Sequence, residues 1–108
     1  MAKQARVTKG SGNVFRDLGL EHPEELLAKA QLASVINDII EERDLKQVDT
    51  ATLLGITRPR VSRLHQGHLA EFSFDCLMGF LTLLDRDVKL VVTRKPRNRP
   101  TGSIKVAI

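Results

Sequence analysis

A glycine set between two short helical patterns constrains this chain more than any other feature. Residues 47–67 read QVDTATLLGITRPRVSRLHQG. The run from Lys46 to Leu54 has the length and apolar spacing of a short helix. Gly55 stops it, because glycine enters the left-handed region that a tight exit requires. Thr57 supplies a hydroxyl to cap a following helix through about Gln66, with Pro59 tolerated in its first turn and Gly67 closing it. Ala51 is small enough for the two helices to cross closely at a steep angle. Ile56, Val61 and Leu64 pin one side of the later helix to a body. The other side carries Arg58, Arg60, Ser62 and Arg63, and no acid lies between Thr57 and Gly67.

The body is legible on either side. Pro23 opens a helix with Glu24 and Glu25 in its first turn, where acids suit the helix dipole. Leu26, Ala30, Ala33, Ile36 and Ile40 then recur at helical spacing up to Arg43, and Leu27, Val35 and Ile39 widen the stripe. A further helix spans about 73–84, with Phe74, Leu77, Met78, Leu81 and Leu84 on one side. Phe80 and Leu83 fall off that stripe, which gives this helix more apolar surface than one core face requires. Residues 13–20 predict an ordered segment with a single helical turn. Residues 87–93 switch to alternation, with Val88, Leu90 and Val92 between Lys89, Val91 and Thr93, which predicts one β-strand. A lone strand needs a partner for its backbone. Pairing with a second copy across a two-fold supplies one, and a hairpin with residues 104–108 is the alternative.

Composition removes whole classes of function. The single cysteine, Cys76, excludes a disulfide framework and a multi-cysteine metal site. No stretch approaches the roughly 20 apolar residues of a membrane span, and no apolar run follows the charged N-terminus, so a soluble cytoplasmic protein is expected. His65 and His68 have ligand spacing but no third partner, and Cys76 has no neighbouring base. Glu41, Glu42 and Asp44 sit beside Arg43 and Lys46 as a solvated helix end. No phosphate loop or catalytic constellation is present, so neither an enzyme nor a cofactor is expected. With only four Phe and no Trp or Tyr, the core must be largely aliphatic.

Charge is unevenly spread. All thirteen acids fall between residues 11 and 93. Lys3, Arg6 and Lys9 precede them, and Arg94, Lys95, Arg97, Arg99 and Lys105 follow. The expected organisation is a disordered basic tail over 1–12, a domain over 13–93 and a second basic tail over 94–108. Such arms suit phosphate contact, and they also suit simple solubility.

A protruding basic helix of this kind fits the DNA major groove, while Gln47, at the start of the helix before it, is placed to bond a phosphate. The spacing Gln47, Ala51, Leu54-Gly55-Ile56-Thr57, Val61-Ser62-Arg63-Leu64 and Gly67 resembles the helix-turn-helix of the XRE and Cro-like phage repressor family. That resemblance implies a mainly α, lambda-repressor-like, five-helix-type bundle, to which the expected C-terminal strand would add a dimerisation element. It places Thr57, Arg58, Pro59, Ser62 and Arg63 toward bases, and Gln47 and Arg60 toward phosphates. Three features depart from the family pattern. Ile40 and His65 stand where many relatives carry an Arg–Glu pair, Lys46 stands where Ser or Thr often caps, and Pro59 removes a donor from a base-facing position. Thr50 is off type among positions usually small or apolar.

The longer run NVFRDLGLEHPEELLAKAQLASVINDIIEERDL before the motif resembles shorter antitoxins of the HigA type. This implies a repressor of its own operon that binds a toxin ribonuclease; a homodimer paired through the strand would set the recognition helices about 34 Å apart on a palindromic operator. A stand-alone XRE-type regulator and an interaction module that neutralises an enzyme without DNA remain the alternatives.

Overall fold

The computed structural model describes residues 13, 18, 19 and 22–108. Four helices follow one another: α1 (Pro23–Glu42), α2 (Gln47–Leu54), α3 (Arg58–Gln66) and α4 (Phe74–Leu83). α1 packs against α4 and α3, and α2 packs against α3 and α4. Pro23 occupies the first turn of α1, with Glu24 and Glu25 beside it. Ser73 caps α4 by accepting the Cys76 N–H at 3.1 Å. Among the described residues no helix is long and apolar enough to cross a membrane.

All four helices end in the same way. A residue with positive φ follows each, namely Asp44 (53°), Gly55 (70°), Gly67 (81°) and Asp85 (64°). The next amide then returns to the carbonyl five residues back. These bonds are Leu45 to Ile40 (3.1 Å), Ile56 to Ala51 (3.0 Å), His68 to Arg63 (2.9 Å) and Arg86 to Leu81 (2.9 Å). Each satisfies a carbonyl the helix would leave orphaned and turns the chain sharply. Asp performs the role twice because its short polar side chain tolerates this region better than most.

The core is aliphatic with an aromatic pair. Ile36, Leu64, Phe72, Leu77 and Leu84 are fully buried, and Ala33, Ile39, Leu54, Phe80 and Leu81 join them. Phe72 meets Phe80 edge to face, with centroids 6.1 Å apart. Two polar side chains lock helices together from outside. Arg43, beyond the end of α1, donates to the Leu84 carbonyl at 2.7 Å and pairs with Asp85 at 3.1 Å. Asn37 of α1 donates to the Leu64 carbonyl of α3 at 3.3 Å.

Several expectations need correction. Among the described residues there are four helices rather than five, and no strand. Residues 87–93 lack regular structure because a ladder needs a neighbour, and residues 104–108 do not provide one. Leu90, Val91 and Val92 are 76%, 73% and 95% exposed, so neither face of this segment is buried. In α4 the buried face includes Phe80 and leaves Phe74 and Met78 only half-buried. The contact between Phe80 and Phe72 rotates the helix toward that solution. The helical turn expected over 13–20 lies mostly outside the described residues, as does the 1–12 tail. Asn13 itself is buried, and its amide donates to the Pro23 carbonyl at 2.9 Å.

The left-handed exits set a testable cost. A Cβ placed on Gly67 would meet no atom within 4 Å, so Gly67→Ala should cost backbone strain alone, about 1–2 kcal/mol. Urea unfolding reads this directly, and a loss below a few tenths would show that the turn relaxes.

Candidate nucleic-acid interface

Burial of one side of α3 decides what the other side shows. Val61 and Leu64 are buried, which turns the first turn of the helix outward. Thr57 precedes it in extended conformation, and its hydroxyl accepts the Arg60 N–H at 3.4 Å. Thr57, Arg58 and Pro59 are exposed, whereas Arg60, Ser62 and Arg63 are half-buried. Gln47, the first residue of α2, is exposed as well. Of the expected residues, Gln47, Thr57, Arg58 and Pro59 are thus the most open to solvent.

The departures from the family pattern have local answers. Thr50 is fully buried, but its hydroxyl donates to the Lys46 carbonyl at 3.0 Å, so the polar atom is satisfied within its own helix. Lys46 offers no side-chain cap to α2. Asp49 in the first turn gives charge compensation there. Ile40 packs against the core, while His65 is exposed. Both line a shallow groove of about 470 Å³ that also holds Gln47, Asp38, Glu41 and Asp44. Gln47 thus marks the border between an acidic α1 end and the basic α3.

The main electrostatic feature was not expected. Glu71, in the loop between α3 and α4, reaches back to two of the three arginines. Arg60 Nε donates to its Oε1 at 3.0 Å. Arg63 Nη2 donates to Oε1 at 3.3 Å, and Arg63 Nε lies against Oε2. The Arg60 guanidinium also stands over the Phe72 ring, 4.8 Å from its centroid. Among the described residues Arg58 has no acidic partner. Glu71 escapes a motif-bounded reading because it lies beyond Gly67. The available signal is that it is the single acid between Asp49 and Asp75 in the sequence, next to a core phenylalanine.

The arginines act on Glu71 in turn. The hydrogen bond from Arg63 does most to hold its carboxyl below the usual glutamate value; desolvation opposes this, and the charges of both arginines and the Arg60 bond add to it.

The sequence matches the helix-turn-helix domain family over residues 14–93. A solved structure named as an XRE family transcriptional regulator is 40% identical to this chain, with a TM-score of 0.72. The match covers 79% of this chain and 96% of that one. This chain belongs to the XRE-type helix-turn-helix family. None of the curated proteins compared with it matches. In this XRE-type protein the helix-turn-helix pair is α2 and α3, and the Glu71 clasp lies on the surface of α3.

The clasp predicts an acid response of definite sign. Because the folded carboxyl titrates below its ordinary value, the clasp is complete above that value and is lost as pH falls through the lowered one. A carbon-detected NMR titration of Glu71 should give a midpoint below that of free glutamate, moving up in Arg63→Ala. An ordinary midpoint in the wild-type protein would exclude the clasp in solution.

Proposed function

We propose that this XRE-type protein is a sequence-specific DNA-binding repressor that acts as a homodimer and serves as the antitoxin of a toxin–antitoxin pair. The observation that carries the DNA reading is the outward first turn of α3, basic and held by a buried opposite face. A helix presented this way enters the major groove with its N-terminal residues toward base edges. Thr57, Arg58, Pro59, Ser62 and Arg63 then address bases, and Gln47 and Arg60 address phosphates. Arg60, stacked on Phe72, suits a fixed phosphate contact better than a searching one.

Dimerisation is supported by the exposed apolar side chains Leu90, Val91 and Val92. A second copy of the chain would cover these side chains. The antitoxin role rests on the resemblance of the α1 region to HigA-type antitoxins.

A gel-shift titration on the duplex upstream of the gene, at two salt concentrations and with nonspecific competitor, tests this. Saturable binding that weakens with salt is expected. Arg58→Ala combined with Arg63→Ala should weaken it at least thirtyfold, since each base contact is worth about 1–3 kcal/mol. No specific shift, with or without the neighbouring gene product, would overturn the repressor reading. Specific binding without any complex between the two products would leave a stand-alone regulator.

A further inference from the structure

Glu71 touches Arg63 on one edge only, and that edge decides what remains free. Nε lies against Oε2, and Nη2 donates to Oε1. The Nε atom is closed off from solvent. A guanidinium carries five N–H groups in a rigid planar fork. Its side edge is engaged through one Nη2–H and through the close Nε–Oε2 ion contact, in which Nε itself makes no hydrogen bond. Both Nη1 hydrogens and the second Nη2 hydrogen stay available at the tip. That end-on pair has the spacing that matches O6 and N7 of guanine. The Arg63 side chain is 41% exposed.

Arg60 is held differently. Its Nε donates to the same Oε1, and its plane sits over Phe72, which is itself fully buried and packed on Phe80. The carboxylate is therefore fixed by a residue anchored in the core through the adjacent position in the chain.

The geometry points to Glu71 as a positioning residue for base reading, one that buttresses Arg63 with its outer fork toward a guanine edge while Arg60 acts as the strut. The inference rests on the DNA-binding reading above and adds to it the class of base that Arg63 reads. Two effects follow. A restrained arginine loses less side-chain freedom when it meets its base. A carboxylate beside the arginines also repels phosphate, which weakens binding to arbitrary sequences. Both raise the ratio of specific to nonspecific binding.

The test uses the full chain and two duplexes of equal length, one selected by the wild-type protein from a randomised pool and one unselected. Fluorescence anisotropy gives both affinities at fixed salt for wild type, Glu71→Gln, Arg63→Lys and the double variant. Gln keeps the shape of Glu71 without its charge, and Lys keeps the charge of Arg63 without its fork. Glu71→Gln should tighten binding to the unselected duplex about three- to tenfold and lower the selected-to-unselected ratio at least tenfold. Arg63→Lys should lower the same ratio, and adding Glu71→Gln to it should lower it little further. An unchanged ratio in Glu71→Gln, an equal loss on both duplexes, or independent effects of the two substitutions would each overturn the buttress. A wild-type protein that selects no duplex would overturn the DNA reading itself, and the buttress with it.

Discussion

Leu64 has no solvent contact, and its burial sets the orientation of everything presented around it. It sits in a core with Ile36, Phe72, Leu77 and Leu84, and Val61 on the same helix is buried as well. A nine-residue helix is too short to be stable by itself in water. Its conformation therefore depends on this burial, on the Thr57 cap and on the left-handed exit at Gly67. Because Val61 and Leu64 point inward, Pro59 points outward, and Arg58, the first residue of the helix, is exposed beside it. The outward chemistry of α3 is thus a consequence of inward packing. Asn37 reinforces the arrangement by tying the Leu64 carbonyl to α1.

The turns distribute this order along the chain. Among the described residues, four successive left-handed exits let four helices pack between Pro23 and Leu83 with few residues spent on connections. Arg43 then joins the first helix end to the last, by bonding the Leu84 carbonyl and pairing with Asp85. Asp85 is 83% exposed at its side chain, so the ion pair itself adds little. The carbonyl bond matters more, because it satisfies a group at the C-terminus of α4 that the helix cannot satisfy.

The sequence made local features visible and left distant ones hidden. Pro23, Gly55, Thr57 and Gly67 mark the start of α1, the end of α2 and both ends of α3 through their own backbone preferences. Thr50 looks anomalous as a side chain type, yet its hydroxyl is answered four residues away in the same helix. Glu71 is different, because its meaning arises only when the turn at Gly67 brings it back over α3. Phe80 is hidden for a similar reason. Two apolar stripes are available on α4, and only the contact with Phe72 selects between them. Alternation over 87–93 is a true local pattern, but a strand is a relation between two segments, and among the described residues the second one is missing.

Charge distribution brings these pieces into one physical argument. Every acid lies in the domain, with several grouped around the end of α1, next to Gln47. Glu71 offsets part of the positive charge of α3. The domain by itself is therefore a weak attractor of phosphate, whereas the residues that follow it carry Arg94, Lys95, Arg97, Arg99 and Lys105 without any acid. In the proposed complex, generic attraction comes mainly from such arms, and it falls with salt because it depends on released counterions. Discrimination comes from α3, whose arginines are restrained and partly neutralised. Separating the two tasks has a physical advantage. A domain that held all its positive charge free on α3 would bind any duplex strongly, and the difference between right and wrong sequences would be a smaller share of the whole. Restraint of Arg60 and Arg63 by Glu71 lowers the common term and preserves the difference.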